Sequence, residues 1–303
     1  MPLQLNYVLP ADYAALGIPN ATDAQVSQAS NIVDAYIGCP EGLLYTPDAN
    51  GAPLCMTRQV PTATRTLTAN LSPGLLVTAY LTSGPLLQSG TAVVLNRVGG
   101  ATAEVCKITT VTDALTVVLA SVTNAHAIGE TADFGLTIDE LTTLPTARAY
   151  ATVRKGPIAK LISAQGRVTY SRRGNWERNA AMQDFGMLAT ISAFAGAPIW
   201  QDIYVPDSNI DVATGNVWCP IGLLMIPYTE VKLSYIAGFV GTGLPSQIKQ
   251  ATANILRAIE ESPASASVKT FKAGAAQMER FLDTVIDSET RALLSSYIAR
   301  NYG

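Results

Sequence analysis

The sequence predicts an α+β fold, with helices near both ends of the chain and a long antiparallel β-rich segment between them. Apolar residues recur at helical spacing after Thr22 and after Pro245, two residues that are typical of helix N-termini. The segment from Val60 to Thr143 is rich in Thr, Val and Leu. Turn residues recur in that segment about every eight to twelve positions, which is typical of many short strands in a barrel or sandwich.

Length and composition limit the classes of protein to which the chain can belong. The 303 residues suffice for about two domains. Charged residues make up 14 % of the chain and the net charge is −3, which disfavours binding to nucleic acid by phosphate neutralisation. The four cysteines form no CxxC pair and there is a single histidine, so we expect neither a zinc site nor a cofactor.

No signal peptide or membrane-spanning apolar run is apparent in the sequence. We therefore expect a soluble protein that is made in the cytoplasm and has no membrane partner.

The first helix has clear boundaries. Thr22 and Gln25 have the spacing of a capping box, in which each side chain accepts a hydrogen bond from the backbone N–H of the other residue. Apolar residues follow at helical spacing from Val26, and Gly38 ends the helix.

A strand, a bend and a second helix follow one another near the other end of the chain. Apolar and polar residues alternate through Val231–Tyr235, and Gly238 then breaks the strand. Pro245 starts an amphipathic helix that stops at Ser262-Pro263. After a stretch with little regular pattern, Asp287 or Ser288 caps a last helix.

The β-rich middle divides into short predicted strands and turns. The predicted strands and hairpins are Val93–Arg97, Val105–Thr110 and Leu115–Leu119 with a loop at Thr112–Ala114, a meander of Tyr150–Arg154, Gly156–Ile162 and Gly166–Tyr170, and a hairpin at Ile210–Trp218.

No catalytic constellation is recognisable. The lone His126 has no G-x-S-x-G nucleophile motif to serve, and we interpret it as a turn residue that bonds to the local backbone. The acidic pairs Asp139-Glu140 and Glu260-Glu261 are at positions that look exposed. We predict that the protein is not an enzyme.

A basic and aromatic patch lies between two strands, at Arg172, Arg173 and Trp176, with Arg167 before it. Such residues suit a protein interface or the stacking of single-stranded nucleic acid, and an exposed hairpin tip with solvated arginines is the third interpretation.

Both chain ends resemble one family. The Leu16-Gly17-Ile18 lead-in with its capped helix, and the strand ending Tyr235-Ile-Ala-Gly-Phe239 before Pro245, are similar to the head–tail connector proteins of tailed bacteriophages. The segment Glu104–Gly129 resembles a small β-barrel unit of phage structural proteins. The resemblance implies a discontinuous helical domain of residues 1–45 and 236–303, an inserted β-barrel-like domain of residues 46–145, and a β-meander of residues 146–235.

The same resemblance implies a structural virion protein, assembled in the host cytoplasm and located at the neck. It would form a ring, taken as dodecameric, that binds the portal protein and tail or neck proteins and lets DNA pass without sequence-specific binding. The predicted partner-binding residues are Leu293, Leu294, Tyr297, Arg300, Arg172, Arg173 and Trp176. For the two leucines, packing within the protein's own helices is the alternative. An alternative function is a β-rich tail or tail-tip module that contacts a partner or receptor.

Overall fold

A computed structural model gives the fold of the chain. It describes residues 6–98, 100–144, 150–167, 200–206, 209–212, 214–219, 228–261, 270–273, 276–279 and 286–298.

The chain divides into two compact units. The first unit comprises Met1–Val60, Arg154–Gly156 and Ala237–Gly303, and the second comprises Pro61–Val153 and Pro157–Ile236. The first unit therefore takes in both chain ends.

The first unit contains the described helices and two hairpins. Its elements are α1 (Asp23–Ile37), β1 (Tyr45–Pro47), β2 (Pro53–Met56), α2 (Ser246–Glu261), β16 (Thr270–Ala273), β17 (Ala276–Glu279) and α3 (Ser288–Leu294). The α1, α2 and α3 helices surround one apolar core, to which Val26, Ile37, Ile248, Leu256 and Leu294 all contribute fully buried side chains.

The helix boundaries follow from capping chemistry. The Gln25 N–H donates to Thr22 Oγ1 over 3.4 Å, and the Thr22 N–H donates to Gln25 Oε1 over 2.9 Å, which confirms the predicted capping box. Gly38 ends α1 in the left-handed conformation, with φ of 73°. Asp287 caps α3 by accepting the Thr290 N–H over 2.7 Å.

One sequence prediction about the first unit is wrong. The stretch after Pro263, interpreted as an irregular link, contains the antiparallel hairpin β16–β17, whose strands of four residues are too short for a strong periodic signal. Before α1 the chain forms a 3₁₀ turn at Pro10–Asp12, in which the Tyr13 N–H donates to Pro10 O over 3.3 Å.

The second unit is built from antiparallel strands. Its elements are β3 (Ala63–Thr66), β4 (Gly74–Tyr80), β5 (Ala92–Leu95), β6 (Glu104–Val111), β7 (Thr116–Val122), β8 (Thr131–Phe134), β9 (Ile138–Thr143), β10 (Tyr150–Thr152), β11 (Ile158–Arg167), β12 (Gln201–Asp202), β13 (Ile210–Asp211), β14 (Asn216–Trp218) and β15 (Glu230–Ala237).

These strands form three sheets. One has six strands in the order β3-β8-β5-β6-β7-β4, one has four in the order β12-β11-β15-β9, and one has three in the order β10-β14-β13. The two edge strands of the largest sheet meet beyond their ends at an isolated bridge between Leu67 and Leu81. The α+β class and the antiparallel pairing are confirmed, but the described strands do not close into a barrel.

Most predicted strands of the second unit are present, and the predicted loop at Thr112–Ala114 joins β6 to β7. The meander is wrong in one place, because Ile158–Arg167 is a single strand of ten residues that runs through Gly166. A side chain at Gly166 would lie 2.5 Å from the Tyr228 ring, so the glycine permits close packing and does not mark a turn. The exposed position expected for Glu140 is also wrong, since it is 9 % exposed and accepts the Tyr235 hydroxyl over 2.9 Å.

Candidate docking groove on the helical unit

The C-terminal element of the first unit is fixed against α2. Leu294, at the end of α3, is fully buried. The following 3₁₀ turn places Tyr297 so that its hydroxyl donates to Gln247 Oε1 over 3.1 Å. The Tyr297 ring meets the Phe239 ring edge to face, with centroids 6.2 Å apart and an interplanar angle of 75°. The element is therefore held by apolar, aromatic and polar contacts together.

An open groove lies beside this element, with a volume of about 380 Å³. The segment around Asp12, the first turns of α2 and Leu293 of α3 all contribute to its lining. We call it the docking groove, and its lining residues are Asp12, Ala15, Leu16, Ser246, Gln247, Lys249, Gln250 and Leu293.

The charges of the docking groove neutralise each other. Lys249 Nζ lies 2.8 Å from Asp12 Oδ2, and the two side chains are 23 % and 34 % exposed. The wall that carries Leu16 is fixed by a second contact, in which Arg257 donates to the Leu16 carbonyl over 3.1 Å. The remaining lining is apolar or carries neutral amide and hydroxyl groups. This chemistry suits an uncharged peptide segment with an apolar side chain better than it suits phosphate or a metal ion.

The predicted partner-binding residues have different positions. Leu293 lines the docking groove, and Tyr297 is half-buried beside it. Leu294 must be corrected, because its side chain is fully buried in the core of the first unit and follows the alternative interpretation of internal packing. Arg300, Arg172, Arg173 and Trp176 lie outside the described residues.

Arg167, at the start of the basic patch, makes an ion pair and a cation–π contact. Its Nε lies 2.6 Å from Glu230 Oε2, and its guanidinium stands 4.4 Å from the centroid of the Trp200 ring. Because both contacts belong to the second unit itself, Arg167 is a structural residue at the end of β11.

Sequence reasoning missed most of the groove. Asp12 carries no motif, and its separation from Lys249 in the chain hides their contact. The available signal was the polar face of the amphipathic helix α2, which carries Gln247 and Gln250.

A buried polar cluster supports the same unit. The Tyr7 hydroxyl donates to Asp34 Oδ1 and accepts the Leu43 N–H over 2.8 Å. Arg58 bonds to Asp34 Oδ2, and its guanidinium lies 4.9 Å from the centroid of the Tyr7 ring. Burial raises the pKa of Asp34 to about 6, although Arg58 opposes the shift. The cluster ties the N-terminal segment and the chain after β2 to α1.

The thiols are not placed for chemistry. Cys39, Cys55, Cys106 and Cys219 are buried and form no disulfide, and burial raises the pKa of the Cys39 and Cys219 thiols to about 11. Within the described ranges, no set of three or more His, Cys, Asp or Glu side chains is arranged to hold a metal ion.

The described helices include none that combines the length and the apolar character needed to cross a membrane. No family model, no curated protein and no solved structure matches the chain.

Proposed function

We propose that this protein is a structural connector of a tailed-phage virion, which forms a ring between the portal vertex and the tail and continues the DNA channel. The ring, its portal and neck partners and the dodecameric copy number come from the family resemblance. DNA would pass through without sequence-specific binding, in keeping with a net charge of −3.

The observation that most supports this proposal is that the two chain ends share one core. Residues of α1 pack with residues of α2 and α3, and Lys249 pairs with Asp12 across the length of the chain. A body built from both ends, with a long β-rich segment between them, is the arrangement that the resemblance implies. In this proposal the three helices are a small bundle that docks on the portal.

The β-rich unit would decorate the ring or contact the tail. We propose that its six-stranded sheet is barrel-like, because the Leu67–Leu81 bridge joins the ends of its two edge strands through hydrogen bonds of 2.9 and 3.0 Å. Closure of this kind protects edge strands from association with other chains.

A second function, a tail or tail-tip binding module, is favoured by one surface. Leu75 and Leu76 are 82 % and 66 % exposed on the edge strand β4, and Leu76 has a φ of 50°. No charged residue occurs between Arg65 and Arg97. An apolar, uncharged edge is typical of a contact surface.

Measuring the mass of the purified full chain, alone and after mixing with the portal protein, separates the two functions. A ring-sized assembly, or a complex that forms on the portal, supports the connector. A small oligomer that does not bind the portal protein supports the binding module and contradicts the connector. A cryo-EM map of the virion neck then tests the location directly.

A further inference from the structure

The single histidine of the chain is held between two carboxylates. The His126 side chain is fully buried, with Nδ1 2.7 Å from Glu130 Oε2 and Nε2 2.9 Å from Glu104 Oε1. This differs from the prediction that the ring bonds to the local backbone. The sequence could not show the contact with Glu104, which lies on β6.

The two carboxylates connect separate parts of the sheet. Glu104 also accepts the backbone N–H groups of Thr123 and Asn124, both over 2.8 Å, so it holds the chain where β7 ends. The His126 backbone exchanges hydrogen bonds of 2.9 and 3.0 Å with Leu71. The histidine and its partners therefore fasten the turn of residues 123–130 to β6 and to the strand-like segment around Leu71.

The hydrogen bonds require two shared protons. A carboxylate only accepts hydrogen bonds, and a neutral imidazole has one N–H donor and one bare acceptor nitrogen. Glu104 is already an acceptor for two backbone donors, so the hydrogen between it and Nε2 belongs to the ring. With a neutral ring and an ionised Glu130, Nδ1 would face the Glu130 oxygen at 2.7 Å with no hydrogen between them.

We propose that His126 carries a hydrogen on both ring nitrogens and forms, with Glu104 and Glu130, a proton-operated clasp on the turn of residues 123–130. Loss of either hydrogen turns an attractive contact into a repulsion between lone pairs in a buried site. The clasp therefore holds the turn closed only while both ring hydrogens are present, and loss of either one releases the turn.

Two other titratable groups lie beside the clasp. The Cys106 thiol bonds to Glu104, and burial raises the pKa of this thiol to about 12, so it stays neutral while the clasp operates. Lys160, on β11, is the cation that acts on Cys106.

Release would affect a surface as well as stability. Ile128 stands at the outside of the turn, 63 % exposed, and its N–H donates to the Asn70 side chain over 2.8 Å. An opened turn would displace this apolar residue from its place beside Asn70. This inference concerns the second unit alone and is independent of the proposed neck location.

Selective ¹⁵N labelling of histidine tests the proposal on the full chain, because His126 gives the only imidazole signals. At neutral pH we expect both ring nitrogens to carry a hydrogen and to give the shifts of an imidazolium. Signals of a neutral ring with one bare nitrogen would overturn the proposal.

Two variants complete the test. In Glu130→Gln the amide can donate to Nδ1, so we expect a folded protein whose ring has a single hydrogen; an unchanged imidazolium would contradict the clasp. Tryptophan fluorescence during urea unfolding measures the stability of the second unit. All three tryptophans lie within residues 157–236, in the second unit. His126→Gln should unfold at a lower urea concentration than the wild type, because the ring that bonds to both glutamates is gone, and unchanged stability would overturn the proposal.

Discussion

Asp12 and Lys249 are 237 positions apart in the sequence, yet Lys249 Nζ lies 2.8 Å from Asp12 Oδ2. The pair joins the turn before α1 to the first turns of α2 and forms the charged part of the docking groove. The same ion pair therefore holds the N-terminal segment against α2 and lines the docking groove.

The pair should contribute modestly to stability. Lys249→Met and Asp12→Asn should each lower the free energy of unfolding of the first unit, and the double variant should show a coupling of about 0.5–1 kcal/mol because both side chains are partly exposed. Urea unfolding followed by far-ultraviolet circular dichroism measures it, since the described helices belong to this unit. A coupling of zero that does not change with salt would show that the contact does not stabilise the unit.

Gly238 should be intolerant of any side chain. Its φ is +94°, and an added Cβ would lie 2.2 Å from the Leu43 carbonyl oxygen, which accepts the Phe239 N–H over 2.8 Å. Because a backbone atom cannot yield as a flexible side chain does, Gly238→Ala should destabilise the first unit by about 3 kcal/mol or more. Thermal unfolding followed by circular dichroism gives the measurement.

Gly17→Ala is the matched control for this change. Gly17 is in the same unit with a φ of +72°, but nothing lies within 4 Å of its added Cβ. It should show only the left-handed strain of about 1 kcal/mol. Equal losses in both variants would mean that the contact with Leu43 does not limit position 238.

Local signals in the sequence predicted the elements better than the contacts between them. The capping box at Thr22, the end of α1 at Gly38 and the β6–β7 loop follow from residues close together in the chain, and the structure contains all three. Gly166 was misjudged, because a glycine that admits the Tyr228 ring looks the same in sequence as a glycine that makes a turn.

The candidate site was less predictable, because it depends on contacts between residues that are far apart in the sequence. Leu293 and Leu294 are adjacent and chemically identical, and only the direction of each side chain on α3 decides which one enters the core. The partner of His126 on β6 and the partner of Lys249 near the N-terminus depend on tertiary packing, so no local pattern marks either contact.

Asp34 should make the first unit less stable as the pH rises. Burial raises its pKa from 3.8 to about 6, so between these values the folded chain holds a proton that the unfolded chain has released. The contribution is complete below about pH 4 and is lost as the pH rises through about 6, which amounts to about 3 kcal/mol for a shift of this size. Urea unfolding followed by circular dichroism across this window measures the slope.

Asp34→Asn removes the titrating group and should remove its part of the slope. The variant will also have a lower overall stability, since Arg58 loses its charged partner. The comparison therefore uses the pH dependence and not the absolute value. Parallel curves for the two proteins would show that Asp34 titrates alike in the folded and unfolded chain.

Leu293 should carry the contact with the portal if the docking groove is the portal-binding site. It is half-buried at the groove edge, whereas Leu294 is a core residue, so removal of the whole C-terminal helix would also open the core. Leu293→Glu places a charge in a lining whose own charges are already paired, and the loss of apolar contact alone is about 1.5–3 kcal/mol. We expect portal binding at least about tenfold weaker in a surface-immobilised binding assay.

Ser296→Glu is the matched control, because it adds the same charge at an exposed position of the turn that follows α3, and it should bind as the wild type does. Wild-type affinity in the folded Leu293→Glu variant would remove the groove from the proposed contact, and equal weakening by both changes would indicate a general charge effect.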